Sequence, residues 1–334
     1  MKDKKKLDLI SERIKSPDFS GAILVCDHNE VIIEDCNGYA DRANKRKINI
    51  DTRLAIASGT KMFTALGIMK LIELDRLKLD DKVFDIVPRS FPTYDKSVTI
   101  KHLLTHSSGI PDYYDEELME AGVDIKLSIP NYDLNKPSDY LEIMPDKKMK
   151  FAPGKAFNYN NSAFVLLAVI IELLTGDYHL WIEKEVLQKA RMISSGFFKM
   201  DQLPTNTAIG YLETDKSSNK SNIYQLPIIG GGDGGMYTTV KDMDRFWDAF
   251  LEGEIVNSNI VKEMITPHSH SSNLSYGLGV WLESNGESFD PILFGQDPGV
   301  SFVSGFQMLS NKKHTVISNT EKGAWGLSNL LKDL

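Results

Sequence analysis

Strand-forming sequences lie at the two ends of this chain, and helix-forming sequences lie between them. The first fifty residues contain a short amphipathic helix, Leu7 to Ile14, followed by two apolar strands that form a β-hairpin. The last hundred residues return to strands and close with a helix from about Gly323 to Leu334. From Thr60 to about Leu187, apolar residues repeat every three or four positions, which is typical of helices, and the helix in NSAFVLLAVIIELLTG should stop at Gly176.

This order predicts an α+β fold in which both ends of the chain complete one antiparallel sheet flanked by helices, with an all-helical region inserted. We expect residues 1–56 and 225–334 to form a discontinuous sheet domain and residues 57–224 a mainly helical domain. A cleft should form where the two parts meet, and such junctions are preferred places for small-molecule sites.

Composition excludes some kinds of protein. The chain has 334 residues, 42% hydrophobic and 25% charged, which is enough apolar material for a large core. Its 38 Lys and Arg against 46 Asp and Glu give a formal charge of -8. This is the wrong sign for a protein that neutralises phosphates, so we expect no nucleic-acid partner.

The start of the chain is basic but is not followed by the apolar stretch of a secretory signal, because Asp8, Glu12 and nearby charges interrupt it. The longest apolar run, Ala163 to Ile171, is far shorter than the ~20 residues of a membrane span. We therefore expect a cytoplasmic protein without a membrane partner. The sequence leaves its oligomeric state open.

Two cysteines occur in the N-terminal hairpin. A turn at His28-Asn29 pairs Cys26 with Val31 and puts Cys36 far down the second strand. Because that register keeps the two Cα atoms beyond the ~7 Å limit for bridging, both cysteines should be free thiols.

Two other segments have clear local patterns. Residues 213–222, ETDKSSNKSN, are polar and predict a surface excursion. The GGGDGG stretch lacks the Lys-Ser/Thr of a phosphate loop and predicts a tight crossing of the chain beside the cleft. A helix should follow it, with Thr239 as N-cap and Asp242 in the capping-box position.

A nucleophilic serine could lie in an S-x-x-K sequence, which occurs three times, whereas G-x-S-x-G does not occur. About one or two matches are expected by chance from ordinary Ser and Lys frequencies, so context must decide. Ser217 with Lys220 lies in the polar stretch, and Ser310 with Lys313 lies in a turn between strands. Neither environment is rigid or desolvated.

The pair Ser58 and Lys61 is different, because it opens a strongly apolar helix and its side chains lie one turn apart on the same face. A Lys at the positive end of a helix dipole is unfavourable by ~0.3–1 kcal/mol. That field, together with burial, lowers the pKa of the amine and favours the neutral form that can activate a serine. The alternative is that Ser58 caps the helix and Lys61 is solvated.

A second titratable group is needed to protonate the leaving group. In FAPGKAFNYNNSAF, Tyr159 and Asn161 point the same way in an extended backbone just before a buried helix. The alternative is that Tyr159 belongs to the core and Asn161 caps the helix.

The sequences SGTK and YNN, together with VTIKHLLTHSSGI and GGDGGMYTTVKDMDRF, resemble the serine β-lactamase and penicillin-binding superfamily. The resemblance runs from about Gly21 to Trp325 and is greatest to the class C β-lactamase, D-aminopeptidase, D-Ala-D-Ala carboxypeptidase and esterase branch.

The resemblance implies a mixed antiparallel sheet flanked by helices with an all-helical region. It also implies that Ser58 is acylated, with Lys61 as its partner and Tyr159 as general base or proton relay. Asn161 would contact the substrate amide. The backbone N-H of Ser58 would be one donor of the oxyanion hole, a contribution of ~10²–10³ in rate.

The third motif of the family, Lys-Thr-Gly or His-x-Gly on a late strand, is replaced here in FGQDPGVSF by Gln296, Asp297 and Pro298. Asp297 places a negative charge where a substrate carboxylate would bind, so penicillins should be held weakly. Because Pro298 has no N-H, the second oxyanion donor should be Gly299 or a neighbour, and the proline predicts a bulge or a sheet edge.

The histidines do not form a convincing metal site. His102 and His106 are four apart on a predicted helix, but the HExxH glutamate is Leu103, so a structural role is expected. His268 and His270 lie in a polar loop. We expect no metal and no cofactor.

These observations predict a bacterial serine hydrolase that acts on a small molecule or short peptide through an acyl-enzyme on Ser58. The first alternative is a penicillin-recognising sensor that acylates slowly without turnover. The second is a catalytically silent module that binds a peptide or lipid.

Overall fold

The structure is a computed structural model that describes residues 2–116, 127–212 and 219–331, with side chains from residue 5 onwards. In chain order its strands are β1 (Gly21–Asp27), β2 (Glu30–Asn37), β3 (Tyr39–Asp41), β4 (Arg46–Lys47), β5 (Leu54–Ala55), β6 (Tyr237–Thr238), β7 (Ser269–His270), β8 (Ser275–Tyr276), β9 (Trp281–Ser284), β10 (Phe289–Asp297), β11 (Val300–Gln307) and β12 (Lys312–Ser318). The helices are α1 (Lys2–Lys15), α2 (Thr60–Glu73), α3 (Val83–Ile86), α4 (Ile100–Leu104), α5 (Asn161–Thr175), α6 (Tyr178–Ile182), α7 (Val240–Leu251), α8 (Ser258–Met264) and α9 (Gly323–Leu331). Single turns of 3₁₀-helix lie at Ala57–Gly59 and Asn131–Asp133, a longer one lies at Pro137–Glu142, and a π-helical turn lies at Glu183–Leu187.

Both ends of the chain contribute to one eight-stranded antiparallel sheet, in the order β2-β1-β12-β11-β10-β9-β8-β7. Strand β1 pairs with β12, from Gly21 opposite Ser318 to Asp27 opposite Lys312. Helices α2 to α6 come from the chain between β5 and β6. The predicted α+β fold is therefore confirmed, and the proposed domain boundaries stay a prediction.

The N-terminal hairpin has the predicted register. Cys26 lies opposite Val31, and His28 and Asn29 have φ values of 48° and 67°, as a tight turn between twisted strands requires. Cys36 lies opposite Ala22 instead. Both cysteines are free thiols, as predicted.

Strand β1 is buried on both faces because helices cover both sides of the sheet. Its side chains alternate: Leu24 joins the large core shared with the helical region, whereas Ile23 and Val25 join a smaller core beneath α1 and α9. On the large-core side α7 packs on β1 and β12. There Trp247 Nε1 donates a hydrogen bond to Ser304 Oγ on β11 (2.8 Å).

Helices α2 and α5 pack on each other at the centre of the helical region. Every residue from Thr60 to Met69 and from Asn161 to Ile171 is buried, which explains why both sequences are apolar on all faces. Helix α5 ends at the predicted Gly176, whose φ of 93° is the left-handed conformation of a C-cap.

The structure corrects two local predictions. Helix α4 ends at Leu104, so His106 is not on the same helix as His102 but beyond it, with a φ of 52°. Thr239 caps α7 by accepting from the backbone N-H of Asp242, as predicted, but no reciprocal bond forms. The Asp242 carboxylate instead accepts from Ser194 N and Ser195 Oγ.

Within the described residues, no single helix is long and apolar enough to cross a membrane. One pair of consecutive helical segments, Asn161–Thr175 and Tyr178–Leu187, reaches that length and apolarity when taken together, but the pair is bent by 88°.

Candidate active site

Ser58 lies in the 3₁₀ turn that leads into α2, directly beside β10. The preceding Ala57 has a φ of 47°, a strained conformation for a residue with a Cβ. A Cβ on Gly295 of β10 would lie 2.1 Å from the carbonyl oxygen of Ile56, so only glycine lets the strand approach the turn this closely. Ser58 does not cap α2, whose N-cap is Gly59, and the alternative interpretation of this serine is therefore wrong.

Lys61 is buried, with 2% of its surface exposed, and its amine has three hydrogen-bond partners. Nζ lies 2.9 Å from Ser58 Oγ, 2.8 Å from Asn161 Oδ1 and 2.7 Å from the carbonyl oxygen of Asp233. The last two oxygens can only accept. Two N-H bonds of Lys61 are thus committed to them, and a neutral amine would direct its lone pair at the hydroxyl of Ser58.

Electrostatics favour that neutral form. Burial lowers the pKa of Lys61 from 10.5, and the carboxylates of Asp233, Glu116 and others only partly oppose this effect. The alternative that Lys61 is a solvated residue of the first helical turn is excluded, because its side chain is buried.

Tyr159 lies close to both Ser58 and Lys61. Its ring stacks on Trp281, with centroids 5.8 Å apart, and the ring of His106 lies 4.4 Å away. Lys61 Nζ is 4.8 Å from the centre of the Tyr159 ring. Burial, followed by the charge of Glu116, raises the pKa of Tyr159 well above 10, although a hydrogen bond with Ser58 opposes the shift. The phenol therefore stays protonated at neutral pH.

Asn161 is buried, and its amide is engaged at both ends. Its Oδ1 accepts from Lys61, and its Nδ2 donates to the carbonyl oxygen of Tyr114 (2.9 Å). The N-cap of α5 is Asn160, not Asn161: Asn160 Oδ1 accepts from Ala163 N (2.7 Å). Asn161 thus holds Lys61 in place, and its contact with a substrate amide stays a prediction.

The third-motif residues are placed differently from one another. Gln296 is exposed and lines the cleft together with Ser58. Asp297 is half-buried and, together with Ser58, lines a cavity different from the one that Gln296 lines. Burial raises the pKa of Asp297 to about 7; Lys61 opposes this shift, and other acids add to it.

Gly299 lies in the turn after β10, and its oxyanion role stays a prediction. Strand β10 continues to Asp297, so Pro298 and Gly299 form the two-residue turn to β11 rather than a bulge or an edge. Gly299 has a φ of 74°, and a Cβ there would lie 2.8 Å from the backbone nitrogen of Tyr211. The turn therefore packs against the segment that contains Tyr211.

Two cavities meet at Ser58. The first has a volume of about 830 Å³ including its open mouth, and its lining is aromatic and acidic: it includes Tyr113, Tyr114, Tyr140, Phe198, Tyr237, Glu116, Asp233 and Asp297. The second, of about 1400 Å³ by the same measure, is lined by residues that include Tyr159, Trp281 and Gln296. Among the described residues, neither lining contains a Lys or an Arg.

Sequence reasoning missed several residues that shape this site. The GGGDGG stretch does lie beside the cleft, as predicted. Lys61 donates a hydrogen bond to the backbone carbonyl oxygen of Asp233, and a pattern of side chains cannot indicate a backbone acceptor. The Asp233 carboxylate accepts from Tyr113 Oη (2.6 Å). Asp112 accepts from the backbone nitrogens of Asn161 and Ser162 at the start of α5 (2.7 and 2.9 Å).

The other S-x-x-K sequences do not form comparable sites. Ser217 lies outside the described residues. Ser310 bonds Gln307, whereas Lys313 bonds Asp244 and Asp248.

The histidines also have separate partners. His102 Nδ1 accepts from Thr99 N, and His106 Nδ1 accepts from Asn160 N. His268 pairs with Glu263, and His270 with Ser275. In the part of the chain that the structure describes, no three His, Cys, Asp or Glu side chains could share a metal ion.

A serine, a buried amine and a phenol thus lie together where the Ser58 turn meets strand β10 of the antiparallel sheet. The chain belongs to the Beta-lactamase family, which matches residues 8–316. Acyl-enzyme chemistry is general in this family, and the resemblance seen in the motifs is confirmed at the family level.

Individual relatives agree with this assignment. PbpX of Bacillus subtilis (strain 168) is 26% identical over 316 residues, which cover 94% of this chain and 74% of PbpX. The chain spans 61% and 37% of the length of two further curated relatives.

Solved structures agree as well. The penicillin binding protein from Bacillus halodurans is 36% identical, with a TM-score of 0.89 over 97% of this chain and 98% of that one. The D-amino acid amidase from Ochrobactrum anthropi SV3 shares the fold, with a TM-score of 0.77 over 98% of this chain and 97% of that one at 20% identity.

Proposed function

We propose that this protein hydrolyses an ester or amide through an acyl-enzyme on Ser58, with Lys61 as the base that deprotonates it. The observation that carries the proposal is the hydrogen bonding of Lys61 Nζ. Asn161 Oδ1 and the carbonyl oxygen of Asp233 can only accept hydrogen bonds from this amine. Of the three partners, only Ser58 Oγ, at 2.9 Å, can therefore donate its proton to a neutral Lys61.

Tyr159 completes the proton path. Ser58 Oγ attacks the acyl carbon and its proton passes to Lys61. The tetrahedral intermediate then collapses, and the leaving group takes a proton from the phenol, which is replaced from the Lys61 ammonium. A raised pKa suits this role, because the phenol must hold its proton until the bond breaks. Water then releases the acyl group from Ser58.

Two backbone N-H groups are available for the developing oxyanion. One belongs to Ser58. Asp297 and Val300 are the hydrogen-bonded pair that closes the two-residue turn between β10 and β11. Hydrogen-bonded and non-hydrogen-bonded pairs alternate along an antiparallel ladder, so the N-H of the next residue, Gln296, points away from β11. We assign the second donor to Gln296 instead of Gly299, at a strand that touches the Ser58 turn.

The charge of the cavities indicates the substrate class. Glu116, Asp233 and Asp297 surround Lys61, and each contributes to its electrostatic environment. A substrate carboxylate would meet these groups without a Lys or Arg partner in the described linings. The preferred substrate is therefore a neutral or cationic small molecule or short peptide, and β-lactam turnover should be weak.

A labelling experiment separates the hydrolase from its alternatives. The protein is treated with a fluorophosphonate probe and, separately, with a labelled penicillin, and each adduct is located by mass spectrometry. The hydrolase should carry the fluorophosphonate on Ser58 and lose this labelling in Lys61→Met, whereas the matched variant Ser310→Ala should label normally. A persistent penicillin adduct would instead indicate a sensor, and the lack of both adducts a binding module.

A further inference from the structure

His106 is a fully buried residue that lies beside the candidate active site. It follows α4 and has 0% of its surface exposed. Its φ of 52° is in the left-handed region, which only a few residue types other than glycine occupy readily. Histidine is among those types.

This residue accepts a hydrogen bond from each neighbour of Tyr159. The backbone N-H of Asn158 donates to the carbonyl oxygen of His106 (2.9 Å). The backbone N-H of Asn160 donates to ring atom Nδ1 of the same histidine (3.0 Å). One residue thus fixes the chain on both sides of the phenol.

The His106 ring also packs against Tyr159 itself. Their centroids are 4.4 Å apart, and Phe157, Phe164 and Tyr276 complete an aromatic enclosure around the imidazole at 4.7–5.9 Å. Nδ1 accepts a hydrogen bond, so the neutral ring carries its proton on Nε2. Among the described residues Nε2 has no hydrogen-bond partner, so the bond at Nδ1 is the ring's only hydrogen bond there.

We propose that His106 is a positioning residue that holds the Tyr159 hydroxyl at Ser58, through its carbonyl oxygen on one side of the tyrosine and its Nδ1 on the other. The inference rests on the proposed function of Tyr159. A displacement of a reacting group by about 1 Å can lower a rate by ~10²-fold, so loss of the Nδ1 acceptor should slow the chemistry rather than binding.

Two substitutions isolate the acceptor. Glycine adopts the left-handed conformation but offers no acceptor, whereas asparagine tolerates the same conformation and places Oδ1 near the position of Nδ1. We expect His106→Gly to lower the rate of Ser58 acylation about 100-fold with little change in KM. His106→Asn should recover at least tenfold of that loss.

A matched control lies four residues earlier. His102 Nδ1 also accepts a backbone N-H, from Thr99 at 3.1 Å, but at the start of α4 and not beside Tyr159. His102→Ala should therefore acylate within about twofold of the wild-type rate. Circular dichroism and urea unfolding of each variant show which of them fold.

A double-variant cycle tests whether His106 acts through the tyrosine. We expect His106→Gly combined with Tyr159→Phe to be no slower than Tyr159→Phe alone. If the two losses multiply, or if His106→Asn is as slow as His106→Gly, the positioning role is overturned while the proposed function stands. If Tyr159→Phe acylates at the full rate, the proposed function of Tyr159 fails instead.

Discussion

Asp297 lines the first cavity together with Ser58, and Asp297→Asn tests its charge while nearly preserving its shape. Its folded-state pKa is raised from 3.8 to about 7, chiefly by burial. The folded protein therefore holds a proton between pH 4 and 7 that the unfolded chain releases. Wild-type stability falls as pH rises through this window, and the loss is complete above about pH 7.

The size of this effect follows from the shift. Three pKa units at about 1.4 kcal/mol each give an upper bound of about 4 kcal/mol. Asp297 is half-buried and partly screened, so about 1–3 kcal/mol is expected. Asp297→Asn should raise the free energy of unfolding by this amount at pH 8.5 and by almost nothing at pH 4.

Urea unfolding at the two pH values measures the difference, and Asp112→Asn is the matched control. Burial raises the pKa of Asp112 to about 7 as well, but Asp112 accepts two backbone N-H bonds from α5. Its replacement should destabilise the protein instead. Equal stability of wild type and Asp297→Asn at pH 8.5 would refute the reasoning.

The same variant should react faster with anions. A unit charge about 5 Å from a substrate carboxylate costs about 3 kcal/mol at an effective dielectric constant of about 20, which corresponds to a factor of ~10². We expect labelled penicillin to acylate Asp297→Asn up to ~100-fold faster at pH 8.5, and by a smaller factor at pH 5.5, where the wild-type carboxyl is already protonated. An unchanged rate at pH 8.5 would contradict the charge argument.

Three further predictions concern other residues. Lys61→Met should lower the acylation rate of Ser58 by ~10²–10⁴-fold, as measured with a chromogenic ester, because the general base is lost; a loss below tenfold would remove Lys61 from that role. In the wild type, burial lowers the pKa of Lys61, so the acylation rate should rise with pH as the amine becomes neutral and should level off below pH 10.5; a rate that falls from pH 7 to 9 would be inconsistent. Thr239→Ala should destabilise the protein by about 1 kcal/mol in urea, because α7 loses its side-chain cap, whereas an unchanged midpoint would show that the cap is dispensable.

The parts of the fold that the sequence predicted are those encoded by local patterns. The hairpin at Cys26, the end of α5 at Gly176 and the cap at Thr239 each follow from turn chemistry or periodicity within a few residues. The joining of both chain ends in one sheet followed from the order of the elements.

Predictions failed where the outcome depended on packing between distant segments. His106 was assigned to a helix because its spacing from His102 fits one turn, but its bonds to the chain around Tyr159 hold it in a left-handed conformation outside α4. The second oxyanion donor was predicted at Gly299 or a neighbour because Pro298 has no N-H, and the register of β10 and β11, which the sequence does not show, bears on which of these N-H groups is free. The Asp233 atom that accepts a hydrogen bond from Lys61 is a backbone carbonyl oxygen, which the residue type does not reveal.

Acid-quenched turnover of a chromogenic ester, followed by peptide mass spectrometry, measures the acyl-enzyme directly. We expect the acyl group on the peptide that contains Ser58, appearing in a burst and decaying at the rate of steady-state turnover, with no such adduct in Lys61→Met. Turnover that leaves Ser58 unmodified, or an acyl group on any other residue, would contradict the assignment of Ser58 as the nucleophile.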